Sequence, residues 1–147
     1  HFTVAEQEQD WQDWFGANTD EILLVAVDRS GELAGYALGK NNLIDLPPYQ
    51  GELVALHVRR RTQHQGVGQQ LFTAVAKSLQ TQGCDSLFLW VLDTNPARVF
   101  YEKRGGRTIS VKSWQNNQEF GANISEIAYG WPDIQVLINI RYTQNNS

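Results

Sequence analysis

The segment from Glu52 to Leu79 constrains the fold more than any other part of the chain. It begins with a strand over residues 52–58, whose inner residues are apolar on both faces of an extended chain, which is typical of a strand covered on both sides. A glycine-bearing turn follows, and apolar residues then recur every three or four positions, as along one face of a helix. The helical positions are Gly68, Leu71, Phe72, Val75, Ala76 and Leu79. A buried strand followed directly by an amphipathic helix predicts layers of sheet and helix around one core.

Local patterns predict the remaining elements. We expect a helix over residues 4–15 and strands over residues 21–28, 32–38, 86–92, 107–114 and 124–129. A second, shorter helix begins at Asn95-Pro96, with Asn95 as its cap, and ends at Gly105-Gly106. This order predicts an α+β (mixed α/β) fold with a central, mixed, mostly antiparallel sheet flanked by helices.

Length and composition narrow the classes of protein. The 147 residues have the size of one domain, 1–147, ending in a polar tail at 143–147. A net charge of −4 argues against a nucleic-acid binder and favours a cationic partner. The single cysteine, Cys84, excludes an intrachain disulfide and fits the cytoplasm. No stretch predicts a membrane span, and no set of His, Cys, Asp or Glu has metal-ligand spacing, so we expect neither a membrane nor a metal partner.

The turn Gln63-His64-Gln65-Gly66-Val67-Gly68 is the first candidate for a functional site. It follows a buried strand and opens a helix, so several backbone N–H groups point outward at the positive end of the helix dipole. Such a turn can bind phosphate oxygens, and its glycines allow a diphosphate to approach the backbone closely. The alternative is an ordinary loop with glycines for geometry. The turn lacks the Lys-Ser/Thr of a Walker A loop and the complete G-x-G-x-x-G of a dinucleotide fold.

Two motifs in this order resemble those of the GNAT acetyltransferases. Gln63-x-x-Gly66-x-Gly68 resembles their Q/R-x-x-G-x-G/A signature, and residues 95–102 (Asn-Pro-Ala-Arg-Val-Phe-Tyr-Glu) resemble its second half. Residues 126–131 are similar to the closing strand of one common subgroup, and the resemblance extends over residues 22–131. It implies an acyl-CoA N-acyltransferase fold and the direct transfer of an acetyl group from acetyl-CoA to a primary amine.

The resemblance also implies a cofactor site. In this family the central strand pairs with the pantetheine arm, the turn binds the pyrophosphate, and the asparagine contacts the arm. Arg98 is a further candidate for a phosphate contact. The predicted cofactor-binding residues are Leu56, His57, Val58, Gln63, His64, Gln65, Gly66, Val67, Gly68, Gln69, Asn95 and Arg98.

Two residues are candidates for acid–base catalysis. The position of Tyr101 in the motif implies a general acid that protonates the departing thiolate, and the alternative is a core aromatic paired with Phe100. Glu52, at the start of the central strand, is a candidate general base, and the alternatives are a solvated strand end or a chain of waters. The strand position where some relatives carry a catalytic glutamate holds Trp90.

Other features depart from the family or leave alternatives open. His64 replaces a glycine common in relatives, so one turn angle can differ. The sequence contains no Met, so we expect that natural residues precede His1 and that the family's first strand and helix are truncated. The exposed sheet edge would then favour a homodimer. The acceptor is a small-molecule or peptide amine of unspecified identity, and a non-catalytic module that binds CoA or acyl-CoA as a sensor is the alternative function.

Overall fold

The computed structural model describes residues 2–6, 21–117 and 122–139. Its strands are β1 (Thr3–Glu6), β2 (Glu21–Val27), β3 (Leu33–Asn41), β4 (Gly51–Val58), β5 (Leu87–Leu92), β6 (Arg107–Asn117) and β7 (Ala122–Trp131). Its helices are α1 (Val67–Thr81), α2 (Ala97–Lys103) and α3 (Gln135–Ile138), with a 3-10 turn at Arg60–Thr62. Apart from the start of the chain, these elements confirm the predicted order.

The described strands form one sheet in the order β1-β2-β3-β4-β5-β7-β6. Neighbouring strands are antiparallel except β4 and β5, which are parallel and are connected through α1. This parallel contact is short, with Gly51 opposite Leu87, Glu52 opposite Phe88 and Leu53 opposite Leu89. The α+β class and the mostly antiparallel sheet predicted from the sequence are therefore confirmed.

The start of the chain differs from the prediction. Residues 3–6 form a strand, not a helix, and β1 pairs antiparallel with β2 from Thr3 opposite Val27 to Glu6 opposite Leu24. Phe2 and Val4 pack against the core while Thr3 is exposed, so the burial alternates as in a strand. The expectation that the first strand is missing is also wrong, because β1 covers the edge of β2. Residues 7–15 of the predicted helix lie outside the described residues.

Helix α1 packs against the sheet through the apolar face predicted from the sequence. Leu71, Phe72, Val75, Ala76 and Leu79 are all buried. The helix lies close to the sheet because glycines face it: a Cβ atom on Gly51 would lie 3.1 Å from Leu79 Cδ1. Since α1 starts directly after β4 and its short 3-10 turn, this packing fixes the amino-terminal end of the helix beside the end of β4.

A bulge in β4 determines where the sheet opens. Leu38 pairs with Ala55 and Gly39 pairs with Leu53, so Val54 has no partner on β3. A bulge bends its strand and increases the local twist. At the same point β4 and β5 stop pairing, since their last partners are Leu53, the residue before the bulge, and Leu89. The two parallel strands therefore separate towards their carboxyl-terminal ends.

Candidate active site

A cleft of about 260 Å³ lies where β4 and β5 separate. It is lined by Leu53, Val54, Ala55, Leu56, Leu89, Trp90, Val91, Leu92, Asn95, Tyr101 and Glu126. The edge of β4 that faces this gap no longer pairs with β5 after Leu53. An unpaired strand edge can bind an extended ligand through backbone hydrogen bonds, as an added strand would.

The turn after β4 presents backbone donors at the start of α1. The first helical hydrogen bond runs from Gln70 N–H to Gly66 O, 3.0 Å. Within the described ranges, the N–H groups of residues 64–68 have no acceptor. His64 (φ 65°) and Gly66 (φ 83°) both adopt left-handed backbone conformations, which turn successive N–H groups outward. Five donors at the positive end of a helix of 15 residues are an arrangement that can bind an anion.

The side chains of this turn support its backbone. Gln63 Nε2 donates to Val58 O at 3.3 Å, and Gln65 Nε2 donates to Arg61 O at 3.3 Å. The Thr62 hydroxyl is bonded to Ala34 O at 2.9 Å, which ties the turn to β3. The imidazole of His64 is exposed. The arrangement is consistent with binding by backbone N–H groups, because the side chains of Gln63 and Gln65 are already engaged in holding the turn.

Two predicted cofactor ligands use their side chains in hydrogen bonds within the protein. Gln69 is 2% exposed, and its Oε1 accepts a hydrogen bond from Arg104 Nη2 at 3.0 Å. Arg98 donates from Nε to the Tyr129 hydroxyl at 2.9 Å and from Nη1 to Asp93 O at 2.8 Å. The hydrogen bond to Tyr129 raises the pKa of Arg98 above its usual value. Both side chains connect elements of the fold, and their contact with a cofactor stays a prediction.

Sequence spacing could have revealed the burial of Gln69. Positions 69, 72 and 76 are three and four residues apart, so Gln69 lies on the same helical face as Phe72 and Ala76, both of which are buried. Because glutamine is polar, residue type alone did not identify position 69 as part of the buried face of the helix.

The remaining β4 candidates divide between the two faces of the strand. Leu56 and Val58 pack against the core, and Leu56 lines the cleft. His57 is exposed, and its ring centroid lies 5.6 Å from that of Tyr36 on the neighbouring strand. The His57 side chain therefore contacts Tyr36, and a contact with the cleft would have to come from its backbone.

Asn95 combines a structural role with a position in the cleft. Its Oδ1 accepts a hydrogen bond from Ala97 N–H at 2.9 Å, so it caps α2 as predicted. Pro96 has φ −63°, which suits the first turn of a helix. This cap fixes the start of α2 at the cleft, and α2 carries Tyr101 one turn later.

Tyr101 places a phenol in the lining of the cleft. Its ring packs edge-on against Phe72 at 5.8 Å and against Trp131 at 6.5 Å, and the residue is 8% exposed. In the described part of the chain its hydroxyl has no hydrogen-bond partner. Burial raises the pKa of Tyr101 to about 12. The hydroxyl therefore keeps its proton throughout the physiological pH range and can act as a proton donor.

The two carboxylates near the parallel contact lie in different environments. Glu52 does not line the cleft, and its Oε1 accepts a hydrogen bond from Asn42 Nδ2 at 2.9 Å and lies 3.9 Å from Lys40 Nζ. Glu126, on β7, lines the cleft together with Tyr101. Sequence reasoning missed Glu126, because its distance from both motifs along the chain gives no signal without the strand pairing.

Within residues 2–6, 21–117 and 122–139, no group of three or more His, Cys, Asp or Glu side chains comes together in a way that could hold a metal ion. None of the helices in those ranges is long and apolar enough to cross a membrane.

Comparison with known proteins adds to this geometry. The acetyltransferase (GNAT) family matches residues 2–106. The uncharacterised N-acetyltransferase YuaI of Bacillus subtilis is 28% identical over 130 residues, covering 88% of this chain and 73% of that protein. An L-methionine sulfoximine/L-methionine sulfone acetyltransferase of Pseudomonas paraeruginosa is 30% identical over 116 residues, covering 75% and 65%. A Bacillus anthracis protein in complex with acetyl coenzyme A has the same fold, with a TM-score of 0.65, 18% identity and coverage of 77% and 62%.

Proposed function

The chain belongs to the acetyltransferase (GNAT) family and is an N-acetyltransferase, and on that premise we propose direct transfer of an acetyl group from acetyl-CoA to a primary amine. One observation carries the proposal: Tyr101 lines the gap where β4 and β5 separate, and β4 leads through a short turn to outward N–H groups at the start of α1. Orientation of both substrates in one ternary complex supplies much of the rate, and no covalent enzyme intermediate is required.

The donor site follows from this gap. The N–H groups of residues 64–68 suit the two phosphates of a diphosphate, and the open edge of β4 at Leu56–Val58 suits an amide-containing arm. The acetyl coenzyme A bound by the Bacillus anthracis protein of the same fold supports acetyl-CoA as the donor. Asn95, in the cleft lining, is placed to contact the arm.

Tyr101 serves as the general acid in this proposal. When the amine has attacked the carbonyl carbon and the C–S bond breaks, the sulfur requires a proton, and the phenol supplies it. The high pKa of Tyr101 keeps this proton on the oxygen until the sulfur develops negative charge. For the base, Glu52 and a chain of waters are the alternatives predicted from the sequence.

The acceptor belongs to one of two classes of amine. The action of one relative on L-methionine sulfoximine and L-methionine sulfone supports a small-molecule amine as one class of acceptor. A peptide amine is the other class. The cytoplasmic location and the homodimer stay predictions.

Replacing Tyr101 by Phe tests the chemistry, because the change removes only the hydroxyl. We expect the rise in Tm with acetyl-CoA to be preserved and kcat to fall about 100-fold or more. Tyr129→Phe is the matched control: it is also a buried tyrosine, but its hydroxyl is bonded to Glu102 at 2.6 Å and to Arg98. That variant should lose stability and keep its turnover. Normal turnover in Tyr101→Phe would return this residue to a purely structural role.

A further inference from the structure

The proposed reaction requires a group that takes a proton from the acceptor, since most primary amines are ammonium ions near neutral pH. The two protons that leave the nitrogen have different fates. One is released on the acceptor side before attack, and the other replaces the proton that Tyr101 gives to the sulfur. A carboxylate beside the reacting carbon could accept the first of them.

We propose that Glu126 is this group: it binds the ammonium form of the acceptor and accepts its proton. This inference rests on the proposed function. Glu126 is half-buried and lines the same cleft as Tyr101. Among the residues that the structure describes, its carboxylate has neither a hydrogen bond nor an ion pair. An unpaired carboxylate in a partly buried cleft is a natural partner for a cationic ligand.

Strand pairing places Glu126 and the aromatic residues around Tyr101 on opposite faces of the sheet. Glu126 lies opposite Leu92 of β5 and opposite Lys112 of β6, and directly opposed residues share one face of a sheet. The Tyr129 and Trp131 side chains, an odd number of residues further along β7, occupy the other face, where they pack around Tyr101. The carboxylate and the phenol therefore approach the cleft from opposite faces, so each can serve a different atom, the carboxylate the amine nitrogen and the phenol the sulfur.

The charged neighbours do not neutralise this carboxylate. Lys112 lies directly across from it on β6, but the Lys112 ammonium is placed 4.1 Å from the centre of the Trp90 ring. Asp93, just past the end of β5, is connected to β7 through its N–H, which donates to Ser125 O at 3.0 Å. The other ionisable group in the lining is Tyr101, which stays neutral. The charged residue that shares the face of Glu126 on the neighbouring strands is thus Lys112.

Glu52 is the competing carboxylate, and its environment suits a different role. It is held by Asn42 and lies near Lys40, at the part of β4 that is still paired with β5. An ammonium group bound there would have to displace partners that Glu52 already has. Glu126 has no such partners in the described ranges, so the geometry favours it.

The test compares Glu126→Gln with the wild type across pH, using the best acceptor from a panel of an amino acid, a polyamine, an aminoglycoside and a short peptide. We expect kcat/KM near neutral pH to fall about 100-fold or more. The ratio of wild-type to variant kcat/KM should decrease as pH rises towards the pKa of the amine, because more of the amine then binds already deprotonated. The rise in Tm with acetyl-CoA should be unchanged, and Glu126→Asp should recover part of the activity.

The control removes the same charge outside the cleft. Asp133→Asn, in the exposed segment after β7, should behave as wild type at every pH. A deficit in Glu126→Gln that is equal at all pH values would indicate a structural role and overturn the inference. Wild-type activity in Glu126→Gln would also overturn it, and the same pH pattern in Glu52→Gln would transfer the role to that residue. A wild type that acetylates no amine contradicts the proposed function itself.

Discussion

The two ends of the β4–β5 contact perform different tasks although they belong to the same two strands. At the closed end, Gly51–Leu53 pair with Leu87–Leu89, and Leu87 is fully buried. At the open end, beyond Leu53 and Leu89, the strands separate, and Val54 and Leu92 are 43% and 45% exposed. The closed end belongs to the core, and the open end lines the cleft.

This difference shows how a fold can carry a binding site without losing its core. The pairing of β4 with β5 ends at Leu53, next to the bulge at Val54. Before the bulge, strand pairing and the packing of Leu79 on Gly51 stabilise the sheet. After it, a backbone edge of β4 is left for a ligand. The residues that stabilise the sheet and those that line the cleft therefore lie in adjacent segments of the chain. Substitutions in the two segments should affect stability and activity separately.

The largest effect should come from shortening the same side chain at the two ends of β5. Leu87→Ala removes a buried side chain and should lower the free energy of unfolding by about 2–5 kcal/mol. Leu92→Ala removes a largely exposed one and should cost less than about 1 kcal/mol. Urea unfolding followed by circular dichroism measures both values. Equal decreases in the free energy of unfolding for the two variants would show that the two ends of β5 contribute equally to the core.

The second prediction concerns pH and uses Tyr101, whose ring lies in the core and whose hydroxyl reaches the open end. Its folded pKa of about 12 lies above the ordinary value of 10.0. The unfolded state therefore loses its proton first, so this contribution to stability is complete below about pH 10 and falls between about pH 10 and 12. The loss should be on the order of 2–3 kcal/mol.

Tyr101→Phe provides the control for this pH dependence. Burial also raises the pKa of Tyr129, so part of the decline should remain in the variant. If unfolding curves of the wild type and of Tyr101→Phe decline equally from about pH 10 to 12, the Tyr101 hydroxyl is not in the partly buried environment described.

The closed end was easier to predict from the sequence than the open end. The apolar stripe of α1 and the apolar run of β5 predicted buried elements, because burial of a helix face or a strand leaves a repeating pattern. The strand β1 was mistaken for a helix because four residues are too few to distinguish the two periods. The antiparallel pairing with β2 determines that residues 3–6 form a strand.

The open end depends on features that no local pattern encodes. The family resemblance identified the turn 63–68, which connects β4 to α1, and Tyr101, which lines the gap. The bulge at Val54 and the position of Glu126 follow from the registers of β4 with β3 and of β7 with β5. The hydrogen bond of Arg98 likewise depends on Tyr129, 31 residues away. Long-range contacts of this kind are not visible in one sequence.

The third prediction compares two glycines at the turn of the open end. Gly66 has φ 83°, so Gly66→Ala should cost about 1–2 kcal/mol and reduce the rise in Tm with acetyl-CoA. A Cβ atom on Gly68 would meet Phe100 and Val58 at 3.5 Å, an ordinary contact distance. Gly68→Ala should therefore keep both stability and the Tm shift, whereas Gly68→Glu should abolish the shift. A full shift in a folded Gly68→Glu variant would contradict phosphate binding by this turn.

The smallest expected effect concerns His64, and it asks whether the turn acts through its backbone alone. His64 adopts φ 65°, where a side chain costs about 1–2 kcal/mol. His64→Gly removes this strain, but the unfolded chain gains freedom that offsets about 0.5–1 kcal/mol of it, so the net gain in stability should be less than about 1.5 kcal/mol. His64→Ala keeps the backbone strain and removes only the imidazole. If the N–H group is what binds the phosphate, acetyl-CoA should raise Tm in both variants as much as in the wild type. An equal loss of the shift in both would instead assign the contact to the imidazole, and the open end would then bind its ligand through a side chain as well as through its backbone.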